Sequence, residues 1–164
     1  MLQKAGIMVL RKFRRVVLDI KGFTIAEMMA AVGVIAVVMA IAVPNYLAIQ
    51  PGMRLNGAAR EVLGKLMWAR AKAVEQNSTY AVNFPTNHTF QIFNDANGNN
   101  SVDAGEWNQT IDIQIDYTGV TLGSNVSTVS FSSRGTGVAA TITITNTTGS
   151  KTVTVVATGN VKIS

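Results

Sequence analysis

Residues 21–27, Lys21-Gly22-Phe23-Thr24-Ile25-Ala26-Glu27, stand at the head of a run that is apolar or glycine from Met28 to Val43. One carboxylate, Glu27, lies where an unpaired charge costs at least about 2.5 kcal/mol in a bilayer. Counted from Phe23 the segment has 21 residues. As a helix rising about 1.5 Å per residue it reaches about 30 Å, the depth of one hydrocarbon core. The basic residues upstream would be retained on the cytoplasmic side, so the chain after the segment faces outward. An ordinary secretory signal cut after Ala40-Ile41-Ala42 accounts for the basic head and the apolar run. It leaves Glu27 unexplained, and so does a plain membrane anchor.

Charge is concentrated in the same place. Lys4, Arg11, Lys12, Arg14, Arg15 and Lys21 oppose only Asp19 before Phe23, which accounts for the whole net charge of +5. From Phe23 onward eight basic and eight acidic residues cancel. The high isoelectric point therefore describes a leader and is no sign of nucleic-acid affinity. There is no cysteine, which excludes disulfides, thiolate nucleophiles and cysteine metal sites. A single histidine, His88, argues against a zinc site.

Gly22-Phe23-Thr24-Ile25-Ala26-Glu27, behind a basic leader and ahead of the apolar run, resembles the class III signal of type IV pilins and pseudopilins. The resemblance implies cleavage after Gly22 by prepilin peptidase and methylation of the new amine on Phe23. It implies an assembly role for Glu27 and a helix kink at Pro44. Cleavage would place a cationic amine four residues from Glu27. Pairing between that carboxylate and a neighbouring subunit's Phe23 amine would neutralise both charges; snorkelling of Glu27 to the headgroups is the simpler alternative. Starts at Met1 and at Met8 leave the same cleavage site. Ala30, Ala31, Gly33, Ala36, Ala40 and Ala42 keep the helix thin, which suits close helix packing.

Beyond Pro51-Gly52, the residues Leu55, Ala59, Val62, Leu63, Leu66, Ala73 and Val74 recur near a 3.6-residue period, predicting an amphipathic helix that ends near Asn77-Ser78. Glu61 and Lys65 form an i,i+4 pair. Strands are predicted at 79–84, 88–93, 126–131, 139–145 and 151–157, with a short end strand in Asn160–Ile163. A further strand is predicted from the alternation of Ile111, Ile113 and Ile115. The expected fold class is α+β: a long N-terminal helix, hydrophobic in its first half and amphipathic in its second, packed on an antiparallel sheet or small sandwich. The expected organisation is a leader at 1–22, a membrane or filament-core half-helix at 23–50, an amphipathic half at 51–78 and a periplasmic β-rich domain at 79–164.

Two longer stretches narrow the resemblance. "WARAKAVEQNSTYAVNF" (68–84) and "VSFSSRGTG" (129–137), followed by a hairpin and "GNVKI", are similar to the H-type pseudopilin/FimT family of minor pilins. The resemblance implies a structural subunit of a type IV pilus or a type II secretion pseudopilus, with a tip position among its expectations. Its partners would be prepilin peptidase, other pilins and inner-membrane lipid.

Two further features call for weighing. Asp95, Asn97, Asn99, Ser101, Asp103 and Glu106 occupy positions 1, 3, 5, 7, 9 and 12 of an EF-hand-like loop, making calcium the one cofactor candidate. Asn100 stands where glycine is expected, and a polar hairpin tip is the competing reading. Arg134, Lys151 and Lys162 give residues 117–164 a local charge of +3 without an acid. With Trp68 and Trp107 as stacking groups, they support an alternative DNA-binding role in DNA uptake. No nucleophile elbow, phosphate loop or metalloprotease motif is present, so the expectation is a peptidase substrate and not an enzyme.

Overall fold

The computed structural model describes residues 22–164; the leader, with both candidate start methionines, lies outside the described residues. Among the described residues a single helix, α1, runs Ile25–Glu75 and continues through Pro44 and Pro51. Each proline withholds one backbone donor from the helix. By length and composition α1 is able to cross a membrane, with mean hydropathy 2.4 over its most apolar window. The chain divides into two compact units at Ile41/Ala42. In the first, the described helical residues are exposed throughout.

In the second unit, eight strands follow the helix: β1 (Tyr80–Asn83), β2 (Thr89–Asn94), β3 (Asn108–Asp112), β4 (Thr121–Ser124), β5 (Thr128–Phe131), β6 (Ala140–Asn146), β7 (Gly149–Val155) and β8 (Val161–Ile163). They form two four-stranded antiparallel sheets, ordered β3-β2-β1-β5 and β4-β6-β7-β8. The chain passes between sheets at β3–β4, β4–β5 and β5–β6. One hydrophobic cluster joins Leu55, Val62 and Leu66 of the helix to Phe90, Ile92 and Phe131 of the first sheet and Ile142, Ile144 and Val153 of the second. Small residues bring the helix close: Ala58, Ala59, Ala69 and Ala73 are all buried. Gly57 goes further, because a Cβ there would collide with the Tyr117 ring.

Three expectations change, and one strand, β4, has no counterpart among them. The Ile111–Ile115 strand stops at Asp112, whose carboxylate accepts the Gln114 N–H at 2.9 Å and starts a turn. Tyr117 N–H then closes on the Ile113 carbonyl at 2.8 Å. Ile113 is buried as expected, whereas Ile115 projects from the turn at 78% exposure. β4, with only Leu122 buried among four residues, carries too short an alternation to read as a strand. Val74 faces solvent, and the core positions on that stretch are taken by Ala69 and Ala73. The ion pair found in this half of the helix among the described residues is Lys72–Glu75, at 2.9 Å.

Candidate functional site

The helix head is built by a reciprocal cap. Thr24 stands at the N-cap position and Glu27 three residues on. The Glu27 N–H donates to Thr24 Oγ1 at 3.2 Å. The Thr24 N–H and hydroxyl donate to Glu27 Oε2 at 2.8 and 3.0 Å. This is the capping box, in which two otherwise orphaned backbone donors are satisfied at once. The carboxylate also lies at the positive end of the helix dipole. The S/T-x-x-E pattern was available in the sequence as a signal for this cap, and weighing Glu27 only as a membrane charge misses it. Both Thr24 bonds fall on Oε2, so among the described residues Oε1 remains open to a further donor.

Gly22 and Phe23 precede the cap in non-helical backbone and are exposed, Phe23 at 83%. The space around Gly22 is open. A peptidase needs an accessible peptide bond outside regular structure, and Gly22–Phe23 meets that requirement without unwinding the helix. Pro44 lies nineteen positions into α1, within the uninterrupted helix.

The two longer family-like stretches meet in the second unit. Arg70, from the first, donates through Nε to the Gly135 carbonyl of the second at 2.8 Å. Its Nη2 reaches the Thr158 carbonyl at 3.3 Å. Gly135 and Gly159 both adopt left-handed backbone, φ 78° each, and a Cβ on Gly159 would strike the Gly135 carbonyl. The turn at 132–137 is closed by Ser132 N–H to Thr136 O at 2.9 Å and Gly135 N–H to Ser132 O at 2.8 Å. One guanidinium thus ties the helix to two turns that approach each other through glycine.

The 95–106 loop is closed by its own donors. Buried Asp95 accepts the N–H groups of Asn99 and Asn100 at 3.0 and 3.1 Å. The amides of Asn97 and Asn99 both donate to Asp103 Oδ2, at 2.6 and 2.7 Å. Glu106 takes the Ala96 and Asp103 N–H groups, each at 3.2 Å. The Ser101 N–H donates to Asn99 Oδ1 at 2.8 Å. Asn100 adopts φ 60°, the left-handed form its position demands. Among the described residues, no three carboxylate or histidine groups gather as a metal-holding cluster.

The basic residues are dispersed. Lys162 lies opposite Thr154, and Lys151 is three positions along β7 from Thr154. By the two-residue alternation of a strand, Lys162 shares the face of Thr154, whereas Lys151 shares that of buried Val153. Arg134 sits on the 132–137 turn. Trp68 and Trp107 are brought together, with ring centroids 5.2 Å apart and Tyr80 6.2 Å from each. His88 is at the β1–β2 turn, its Nδ1 2.9 Å from Asn87 Oδ1.

The profile of a family described as type II transport protein GspH matches residues 58–159, which takes in the Arg70 tie, all of β1 to β7 and both glycine turns. The chain belongs to the GspH family. The crystal structure of the Pseudomonas aeruginosa type IV minor pilin FimU covers 67% of this GspH-family chain and 92% of its own, at 19% identity and a TM-score of 0.51. The structure of the minor pseudopilin EpsH from the type 2 secretion system of Vibrio cholerae covers 68% and 96%, at 11% identity and a TM-score of 0.54. At these identities the likeness is one of fold: the pilin-like α+β arrangement of a long helix on antiparallel sheets. No curated protein is matched by sequence.

Proposed function

We propose that this GspH-family chain is a minor pilin or pseudopilin, a structural subunit of a type IV pilus or a type II secretion pseudopilus. It is made as a prepilin with its leader in the cytoplasm and its outer domain in the periplasm, and α1 anchors it in the inner membrane. Prepilin peptidase cuts after Gly22 and methylates the Phe23 amine. The subunit then enters a filament through α1, with Glu27 meeting the amine of a neighbour.

The observation that carries this reading is the exposed, non-helical Gly22–Phe23 bond directly ahead of a capped apolar helix. Co-expression with a prepilin peptidase, read by intact mass, tests it. The product is expected to lose residues 1–22 and gain one methyl group, and the Gly22→Val chain is expected to stay whole. An uncut parent chain beside an active peptidase defeats the processing step. Assembly is tested separately with Glu27→Gln, because glutamine serves a capping box as glutamate does but cannot neutralise an amine. That variant is expected to be processed normally and to be missing from filaments. Entry at the parental level would reduce Glu27 to a helix cap.

A further inference from the structure

We propose that the cleft between the C-terminal turns of α1 and the start of β3 binds one uncharged pyranose ring of a glycan. The cleft has a volume of about 270 Å³ and is lined by Trp68, Lys72, Gln76, Tyr80 and Trp107. Trp68, Lys72 and Gln76 recur every four residues along one face of the helix. Tyr80 opens β1, and Trp107 immediately precedes β3.

The rings are graded from buried to open. Tyr80 is 2% exposed, Trp68 is half-buried, and Trp107 is 44% exposed. Trp68 already has its neighbours: Tyr80 edge-on at 87°, Trp107 tilted at 43°, and the Lys72 ammonium 5.9 Å from its ring. Trp107 is held from behind by the other two rings and presents indole surface to solvent. An aromatic surface fixed in this way loses little freedom when a ligand settles on it. Apolar C–H edges of a sugar ring suit such a surface, since an indole offers area on its face and a donor at its edge.

The polar groups around it complement hydroxyls. Gln76 Oε1 accepts the Tyr80 hydroxyl at 2.8 Å, which orients the amide and leaves its two N–H donors available. Lys72 adds a further donor to the lining, its charge offset by the ion pair it forms at 2.9 Å with Glu75 outside the cleft. Because this pair is neutral overall, it does not select a charged ligand. Acidic polymers and nucleic acid are further disfavoured by sequence: residues 78–133 carry Asp95, Asp103, Glu106, Asp112 and Asp116 with no lysine or arginine. The volume lies just under the usual range for small-molecule sites, about 300–1,000 Å³, so the cleft takes one ring while the rest of the glycan runs outside.

The test is an NMR titration of the full chain in a zwitterionic, sugar-free detergent, following the indole N–H signals of Trp68 and Trp107. The probes are cellotetraose, chitotetraose and, as charged competitors, polygalacturonate and a single-stranded oligonucleotide. A saturable millimolar shift of both indole signals with one neutral probe is expected, and the responding probe separates a plain glucan from an N-acetylated cell-wall sugar. Trp107→Ala is expected to abolish the Trp68 shift. Gln76→Ala, an exposed substitution, is expected to weaken binding several-fold with the fold unaltered. No shift with either neutral probe overturns the proposal. So does an undiminished Trp68 response in Trp107→Ala, or a stronger response to either charged polymer.

Discussion

Replacing Arg70 by methionine removes the two hydrogen bonds that tie α1 to the glycine turns while keeping the aliphatic stem in place. The first bond, Nε to the Gly135 carbonyl, is 2.8 Å and partly buried. The second, to the Thr158 carbonyl, is 3.3 Å and exposed. A bond from a charged donor is worth about 1.5–3 kcal/mol net, and the long exposed one belongs below that range. Gly135 is buried, so its carbonyl is left without this donor and with little access to water. The expected loss is about 2 kcal/mol. For a unit of about 120 residues each kcal/mol moves Tm by about 3–5 °C, giving a fall of about 6–10 °C. Near-UV circular dichroism of the full chain in detergent reads this unit directly, because both tryptophans lie in it. Arg70→Lys is expected to fall between parent and methionine variant, since an ammonium cannot present the guanidinium's fork to both carbonyls. A methionine variant melting within about 2 °C of the parent would refute the reasoning, for the tie would then contribute less than one ordinary hydrogen bond.

Two helix glycines should respond in opposite directions. Gly57→Ala drives a methyl into the Tyr117 ring and is expected to cost about 1–2 kcal/mol after the helix-propensity gain. Gly64→Ala meets open space and should stabilise by about 0.5–1 kcal/mol, both read from denaturant midpoints. Asp95→Ala should cost about 1–3 kcal/mol through the lost Asn99 and Asn100 bonds, equally with calcium and with chelator; a parental Tm that rises with calcium would revive the cation reading. Burial raises the Tyr80 and Tyr117 phenols, and the Glu75 hydrogen bond raises the Lys72 ammonium. In each case the folded chain holds its proton longer than the unfolded chain, so stability should fall as pH rises past about 10, with Tyr117→Phe flattening that fall. The chain without residues 1–22, whose charges cancel, is expected at low salt to leave duplex DNA unshifted in a gel, because Lys151 and Lys162 lie on opposite sheet faces; a shift abolished by substituting both would restore the DNA reading.

Helix and sheets differ in how legibly the sequence encodes them. The helix announces itself twice, by the unbroken apolar run and then by the spacing of Leu55, Ala59, Val62 and Leu66, since a 3.6-residue period needs only one chain segment to be visible. Val74 obeys that spacing and is exposed nonetheless, while its neighbour Ala73 is buried. Strands with full alternation, such as β6 and β7, are legible for the same local reason. The end of β3 is not, because three alternating isoleucines outweigh on paper a turn set by the Asp112 side chain. Neither is the division into two sheets, which depends on β5 returning to pair with β1. The same limit governs the sites. The 95–106 loop shows its oxygen spacing, but not that its oxygens are occupied by neighbouring N–H groups. Trp68, Tyr80 and Trp107 are separated by long stretches of chain, so their meeting is invisible until the fold is known.

The two family-like stretches illustrate what such a pattern records. "WARAK" and "SSRGTG" are read separately as a helix and a turn, yet Arg70 and Gly135 are two ends of one hydrogen bond. Gly159, in the terminal "TGNVKI", completes the set, because its missing Cβ lets the second turn touch the first. Residues from the two stretches and the terminal segment thus form a tie between distant parts of the chain. Glu27 has the opposite character. Its cap is local, spelled out within four residues, and holds the carboxylate by one oxygen at the apolar end of the helix. A charge expensive in an apolar phase is thereby kept in place by the chain's own donors, with no described donor on its second oxygen. In the proposed assembly, helix capping and filament entry would use different oxygens of the same carboxylate, and the glutamine variant separates them.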